Sequence, residues 1–184
     1  MGEVILSTWG DKAQKPSWLT QYGGRQFKAF IGWDGMVITD PDIDILAAMK
    51  AYYRIIQEHS CGRCIPCRLG TQVIYNVLNK IAAGIGVTSD LDFLKRTAVI
   101  VRDASKCRLG HSAKAVIDFL EHYGETIRPL LESNEITGKI QVTPKGIIRK
   151  EHFFEEITYK EIVKAPCRIG LLVLPEEVRS RKGA

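Results

Sequence analysis

The chain has 184 residues, 45% of them hydrophobic, with a formal net charge of +5. That is enough apolar material for a domain with a real core, which excludes a disordered tail, and no apolar run approaches the ~20 residues that span a bilayer. The cations are interleaved with acids apart from the "RSRK" run at Arg179 to Lys182, so nucleic acid is not expected as a partner, and the absence of a signal-like N-terminus predicts a cytoplasmic protein.

In chain order, "QFKAFIGWDGMVITDPD" alternates in a way that predicts two short strands around a turn at Trp33 to Gly35. Asp40 is then a candidate N-cap with Pro41 in the first turn, and Ile45, Leu46, Met49, Tyr52, Tyr53 and Ile56 recur at helical spacing as far as His59. After Cys67, the residues Val73, Ile74, Val77, Leu78 and Ile81 predict a second helix that ends at Gly84. A third helix is capped at Ser89 or Asp90 and carries Leu91, Leu94, Ala98 and Val101. The fourth follows Cys107 and runs through Val116, Leu120, Ile127 and Leu131, with Gly124 or Pro129 as the place where it would bend. Beyond Ile136 a hairpin around Pro144-Lys145-Gly146 is expected, followed by irregular or short helical chain.

The expected fold is mainly α. A small four-helix bundle, residues 40–133, lies between a β-containing N-terminal arm, 1–39, and an extended C-terminal docking arm, 134–184. "GIGVTSD" lacks the third glycine and the preceding strand of a dinucleotide loop and reads as a helix end. No hydrolytic constellation is visible.

Chemistry concentrates in "SCGRCIPCRLGT", Ser60 to Thr71. Cys61, Cys64 and Cys67 form C-x2-C-x2-C, and Cys107 opens another predicted helix. Three closely spaced thiolates can take three corners of a cubane, with a distant cysteine on the fourth, which is a common pattern for a [4Fe-4S] cluster. Zinc also accepts four cysteines, although usually as two separated pairs, and a zinc-stabilised interaction module is the alternative. Disulfides do not suit a reducing compartment. Cys167 stands apart and is not expected to be a ligand.

The two segments around these cysteines resemble the cluster domain at the C-terminal end of the NADH-oxidising flavin subunit of NADH dehydrogenase, a domain shared with NAD-linked hydrogenases and formate dehydrogenases. The resemblance runs from Gly35 to Glu132. It is carried by Ser60, Cys61, Gly62, Cys64, Pro66, Cys67, Arg68, Gly70 and Thr71, then by Cys107, Leu109 and Gly110. His59, Arg108 and His111 depart from the usual pattern. The resemblance implies one [4Fe-4S] cluster held by Cys61, Cys64, Cys67 and Cys107. Because no glycine-rich phosphate loop of the family's flavin and NADH domain is found here, the chain is expected to be a non-catalytic electron-transfer subunit of a flavin-dependent oxidoreductase. FMN or FAD and NAD(P)H are then expected on partner subunits only. The partners are flavoprotein and other iron-sulfur subunits, with ferredoxin a further candidate. Arg108, next to a ligand, is expected either to tune the cluster's potential or to pair with an acid such as Asp103.

Overall fold

A computed structural model describes residues 4–10, 27–132, 139–150, 160–165 and 168–173. Four long helices and one short helical turn are present among them: α1 (Ile45–His59), α2 (Ile65–Ala82), α3 (Thr88–Ala104), α4 (Arg108–His111) and α5 (Lys114–Glu132). None of these helices is long and apolar enough to cross a membrane. The fold is mainly α, as the periodicity predicts.

The helix starts differ from expectation in instructive ways. Asp40 does not cap α1; its carboxylate accepts from the Asp42 amide in a local turn, at 2.8 Å. The cap is Asp44, whose carboxylate accepts from the Ala47 amide at 3.1 Å. Helix α2 begins two residues before Cys67, because Pro66 suits a first turn where no amide partner is needed. Helix α3 begins at Thr88, and Asp90 lies inside it, reaching back to accept from the Val87 amide at 2.8 Å. The segment after Cys107 is two helices instead of one. The Ser112 hydroxyl turns back onto the Leu109 carbonyl, and the Tyr53 hydroxyl donates to the Ser112 carbonyl at 3.3 Å, which fixes the break. Helix α5 then continues through Gly124 and Pro129.

Seven strands complete the described fold: β1 (Leu6–Ser7), β2 (Ala29–Gly32), β3 (Gly35–Ile38), β4 (Lys139–Thr143), β5 (Gly146–Lys150), β6 (Lys160–Ala165) and β7 (Arg168–Val173). The turn at Trp33-Asp34 and the hairpin before Gly146 lie where the sequence puts them. The strands β6 and β7 replace the irregular or helical chain expected there. β7 pairs antiparallel with β2, giving one sheet of order β1-β3-β2-β7-β6, while β4 and β5 form a separate hairpin. Side chains alternate across the larger sheet. Ala29, Ile31, Met36, Ile38, Leu171 and Val173 join the helical core, and Phe30, Val37 and Leu172 form a second cluster on the other face.

Asp44 couples α1 to the small hairpin and gives a pH test. Burial raises its carboxyl above the usual range, against backbone hydrogen bonds from Ala47, Val142 and Leu46 and the charge of Lys50. A raised folded value means the stabilising contribution is full below about 3.9 and is lost as pH rises through the folded value. Asp44→Asn keeps the acceptor without the charge and is expected to hold or raise the thermal midpoint at pH 7, with a flatter pH dependence. Asp44→Ala should cost about 1 kcal/mol. A pH profile for Asp44→Asn that superimposes on the wild type would remove Asp44 as the source.

Candidate metal centre

Cys61 and Cys64 occupy the loop between α1 and α2, with Cys64 as the cap of α2. Cys67 lies in the first turn of α2 and Cys107 caps α4. None of the four is in a disulfide; Cys61 is exposed, Cys64 and Cys107 are half-buried, and Cys67 is buried. Cys167 lies outside the described residues.

The four cysteines come from neighbouring elements: the loop between α1 and α2, the first turn of α2 and the start of α4. Burial pushes the Cys67 thiol up, a hydrogen bond with Ser60 lowers it, and negative charge on Cys107, Cys64 and Cys61 raises it again. Four neighbouring thiolates repel one another unless a cationic group sits among them, so this donor set suits a metal group. Among the described residues, no three His, Cys, Asp or Glu side chains close around a single ion. Tetrahedral zinc with Zn–S bonds of ~2.3 Å brings its sulfurs to about 3.8 Å from one another. A cubane offers a separate iron at each corner, so four cysteines suit either group.

Backbone and side-chain bonds hold this loop. The Gly62 amide donates to the Ser60 oxygen at 3.3 Å, and that oxygen lies 3.7 Å from Cys67 Sγ. Gly62 has φ +71°, which a residue with a side chain adopts only under strain. From the next turn, Thr71 Oγ1 donates to the Cys67 carbonyl at 2.7 Å, and Gln57 Nε2 on α1 donates to the Thr71 carbonyl at 3.1 Å.

A repeat in the sequence gains its meaning here. The tetrapeptide Cys-Arg-Leu-Gly occurs twice, at 67–70 and 107–110. Both glycines press against the end of α3. A Cβ on Gly70 would lie 2.1 Å from Val101 Cγ2, and one on Gly110 would lie 2.1 Å from Ser105 Cβ. Each glycine is one helical turn after its cysteine, so the close approach of α2 and α4 to α3 sets where Cys67 and Cys107 stand.

Arg68 and Arg108 are exposed. Asp103, a candidate partner for Arg108, instead binds Arg102 through both oxygens, at 2.6 and 3.0 Å. Arg108 lines an open surface cavity of about 390 Å³ with Trp33, Arg102, His111 and Lys114 among its other walls.

Comparison with known proteins agrees with the geometry. The NADP(+)-dependent formate dehydrogenase subunit beta of Moorella thermoacetica is 49% identical over 91% of this chain and 28% of its own length. The NADPH-Fe(3+) oxidoreductase subunit beta of Geobacter sulfurreducens is 33% identical over 68% of this chain and 20% of its own. The NADP-reducing hydrogenase subunit HndC of Solidesulfovibrio fructosivorans is 35% identical over 46% of this chain and 17% of its own. The chain therefore spans less than a third of each of these relatives, at 28%, 20% and 17%. Over residues 47–129, the stretch that carries all four cysteines, the chain belongs to the NADH-ubiquinone oxidoreductase-F iron-sulfur binding region family.

Proposed function

We propose that this protein is an electron-transfer subunit that holds one [4Fe-4S] cluster on Cys61, Cys64, Cys67 and Cys107. In this reading it relays electrons between flavin and iron-sulfur partner subunits of a multi-subunit oxidoreductase. The observation that carries the proposal is that residues 47–129, which contain all four cysteines, match the NADH-ubiquinone oxidoreductase-F iron-sulfur binding region family. When bound, the cluster supplies reversible one-electron transfer. The chain's own residues supply deprotonated sulfur ligands, a rigid loop and a buried inner side at Cys67, while Cys61 faces outward toward a partner. Relatives named as subunits of NADP(+)-dependent formate dehydrogenase and NADPH-Fe(3+) oxidoreductase support a place in such a complex.

Anaerobically purified protein tests this directly. It should be brown, with iron and acid-labile sulfide in equal amounts and an EPR signal on reduction. Colourless protein with stoichiometric zinc would establish the interaction-module reading instead.

Ser60 provides a finer test. Because its oxygen accepts from the Gly62 amide, its hydroxyl hydrogen is available to the Cys67 sulfur. A donor to a ligating sulfur favours the more negative, reduced state. Ser60→Ala is expected to lower the midpoint by roughly 40 mV, equivalent to about 1 kcal/mol for one electron, with iron content intact. Redox-poised EPR reads this, and an unchanged midpoint would leave Ser60 with a purely structural role in the loop.

A further inference from the structure

All of the exposed large apolar side chains among the described residues, apart from Val4 and Ile5, lie on α2, α3 or the turn between them. Their placement is not random. The two helices run antiparallel: Gly70 near the start of α2 meets Thr97 and Val101 near the end of α3, and Lys80 near the end of α2 pairs with Asp90 near the start of α3 at 2.8 Å. In an antiparallel pair, stepping one residue back from Gly70 and one back from Val101 turns both side chains to the same side. That step reaches Leu69, 53% exposed, and Ile100, 59% exposed, at one level on opposite walls of a groove. Ile65 extends the α2 wall one turn toward the cysteines, and Phe93 extends the α3 wall two turns away from them.

The charges of Arg63 and Arg96 at the edge of this groove, unpaired among the described residues, are positive. Helix α2 contains no acid. The acids of α3 are already neutralised: Asp90 by Lys80, Asp92 by Arg128 and Asp103 by Arg102. Among the described residues, Arg63 in the cysteine loop and Arg96 on the outer side of α3 are exposed and join no ion pair. An apolar centre with uncompensated cations at its edge is complementary to a protein surface with an apolar patch and acidic rim, because burial supplies affinity and opposite charge supplies orientation. Ile65 lies between Cys64 and Cys67 in the chain, so a partner seated here covers the metal centre's outer edge.

We propose that the α2–α3 groove, centred on Leu69 and Ile100 and flanked by Arg63 and Arg96, is the docking surface for an acidic protein subunit that exchanges electrons with this chain. The proposal rests on the electron-relay reading above and adds where the exchange takes place and what the partner's surface is like. A bare apolar stripe beside the cluster would accept many proteins; the cationic edge restricts the choice to an acidic one.

The test uses the native complex isolated through a tag on the full chain, with a photo-crosslinking residue at Leu69 and a control at Glu121 on α5. The expected result is an adduct from position 69, and not from 121, to a separate subunit that carries a redox group and has Asp or Glu beside the linked site. The double variant Leu69→Glu/Ile100→Glu should reduce that subunit's recovery about tenfold or more, and Arg63→Glu/Arg96→Glu should make the complex dissociate at lower salt. Iron, sulfide and EPR are read in parallel. Loss of the partner with the cluster retained supports the docking site. An adduct within this chain or to a second copy, a partner without acids at the linked site, or full recovery of the complex in both double variants would overturn it. Absence of a cluster in the wild-type chain would overturn the relay reading itself, whatever the adduct.

Discussion

Cys107→Ala is expected to lose at least about a quarter of the iron per chain, giving a three-iron cluster or none, because one corner of the cubane loses its protein ligand. The effect should be large because Cys107 is the only proposed ligand from outside the loop between α1 and α2 and the first turn of α2. On the proposed ligand set, its loss leaves only the three thiols of residues 61–67 to hold the group. Iron and sulfide analysis with EPR of the oxidised protein measures the outcome. Cys167→Ala is the matched control and should leave iron unchanged. Equal loss in the two variants would require a different ligand set, and unchanged iron in Cys107→Ala would exclude Cys107.

The second large effect concerns Gly110→Ala and Gly70→Ala. In Gly110→Ala the new methyl would meet Ser105 at 2.1 Å from Cβ and 2.3 Å from Oγ, with the Val101 carbonyl at 3.3 Å. Ser105 is only 7% exposed, so its side chain cannot swing into solvent and the backbone must move. Cys107 lies between the two in the chain, so the displacement reaches the proposed ligand directly. Overpacking of this kind costs about 1–3 kcal/mol, which corresponds to a fall of roughly 2–12 °C in thermal midpoint for a chain of this size. Gly70→Ala meets only the tip of a side chain, Val101 Cγ2 at 2.1 Å, with Cβ at 3.6 Å. Adding Val101→Ala should therefore recover part of the loss, seen as favourable coupling in a double-mutant cycle. Gly124→Ala on α5 is the control: its methyl would lie 3.9 Å from Leu120 Cβ, an ordinary contact, and helix propensity predicts a gain of about 0.5–1 kcal/mol. If Gly110→Ala is as stable as Gly124→Ala, the close packing of α4 on α3 is not what positions Cys107.

The groove and these glycines are parts of one arrangement. Gly70 lets α2 lie close to α3, which buries Val101 and Ala98 inward and leaves Leu69 and Ile100 on the opposite side. A larger residue at position 70 would separate the two walls. The same packing that places Cys67 thus also shapes the surface beside it.

The sequence by itself determined the parts of this protein that depend on local pattern. Period-three and period-four recurrence located the long helices, because a helix buries one stripe and its spacing is written in adjacent turns. The close cysteine triplet pointed to a shared metal group for the same reason, since a loop of that length can only present its thiols to one place. Local pattern could not choose between equivalent caps. Asp40 and Asp44 are both good N-caps, and the choice fell to Asp44 because Asp40 is engaged by the Asp42 amide and by Lys28 at 3.5 Å. Only the tertiary structure decided that β7 pairs with β2, since strand pairing across more than a hundred residues is set by which apolar faces meet on the helices. It also decided that the two Cys-Arg-Leu-Gly repeats differ in outcome: Leu109 is buried against the core, whereas Leu69 is left in solvent. Identical tetrapeptides carry identical propensities, and the difference arises because α4 is enclosed by its neighbours, while α2 is covered on one side alone.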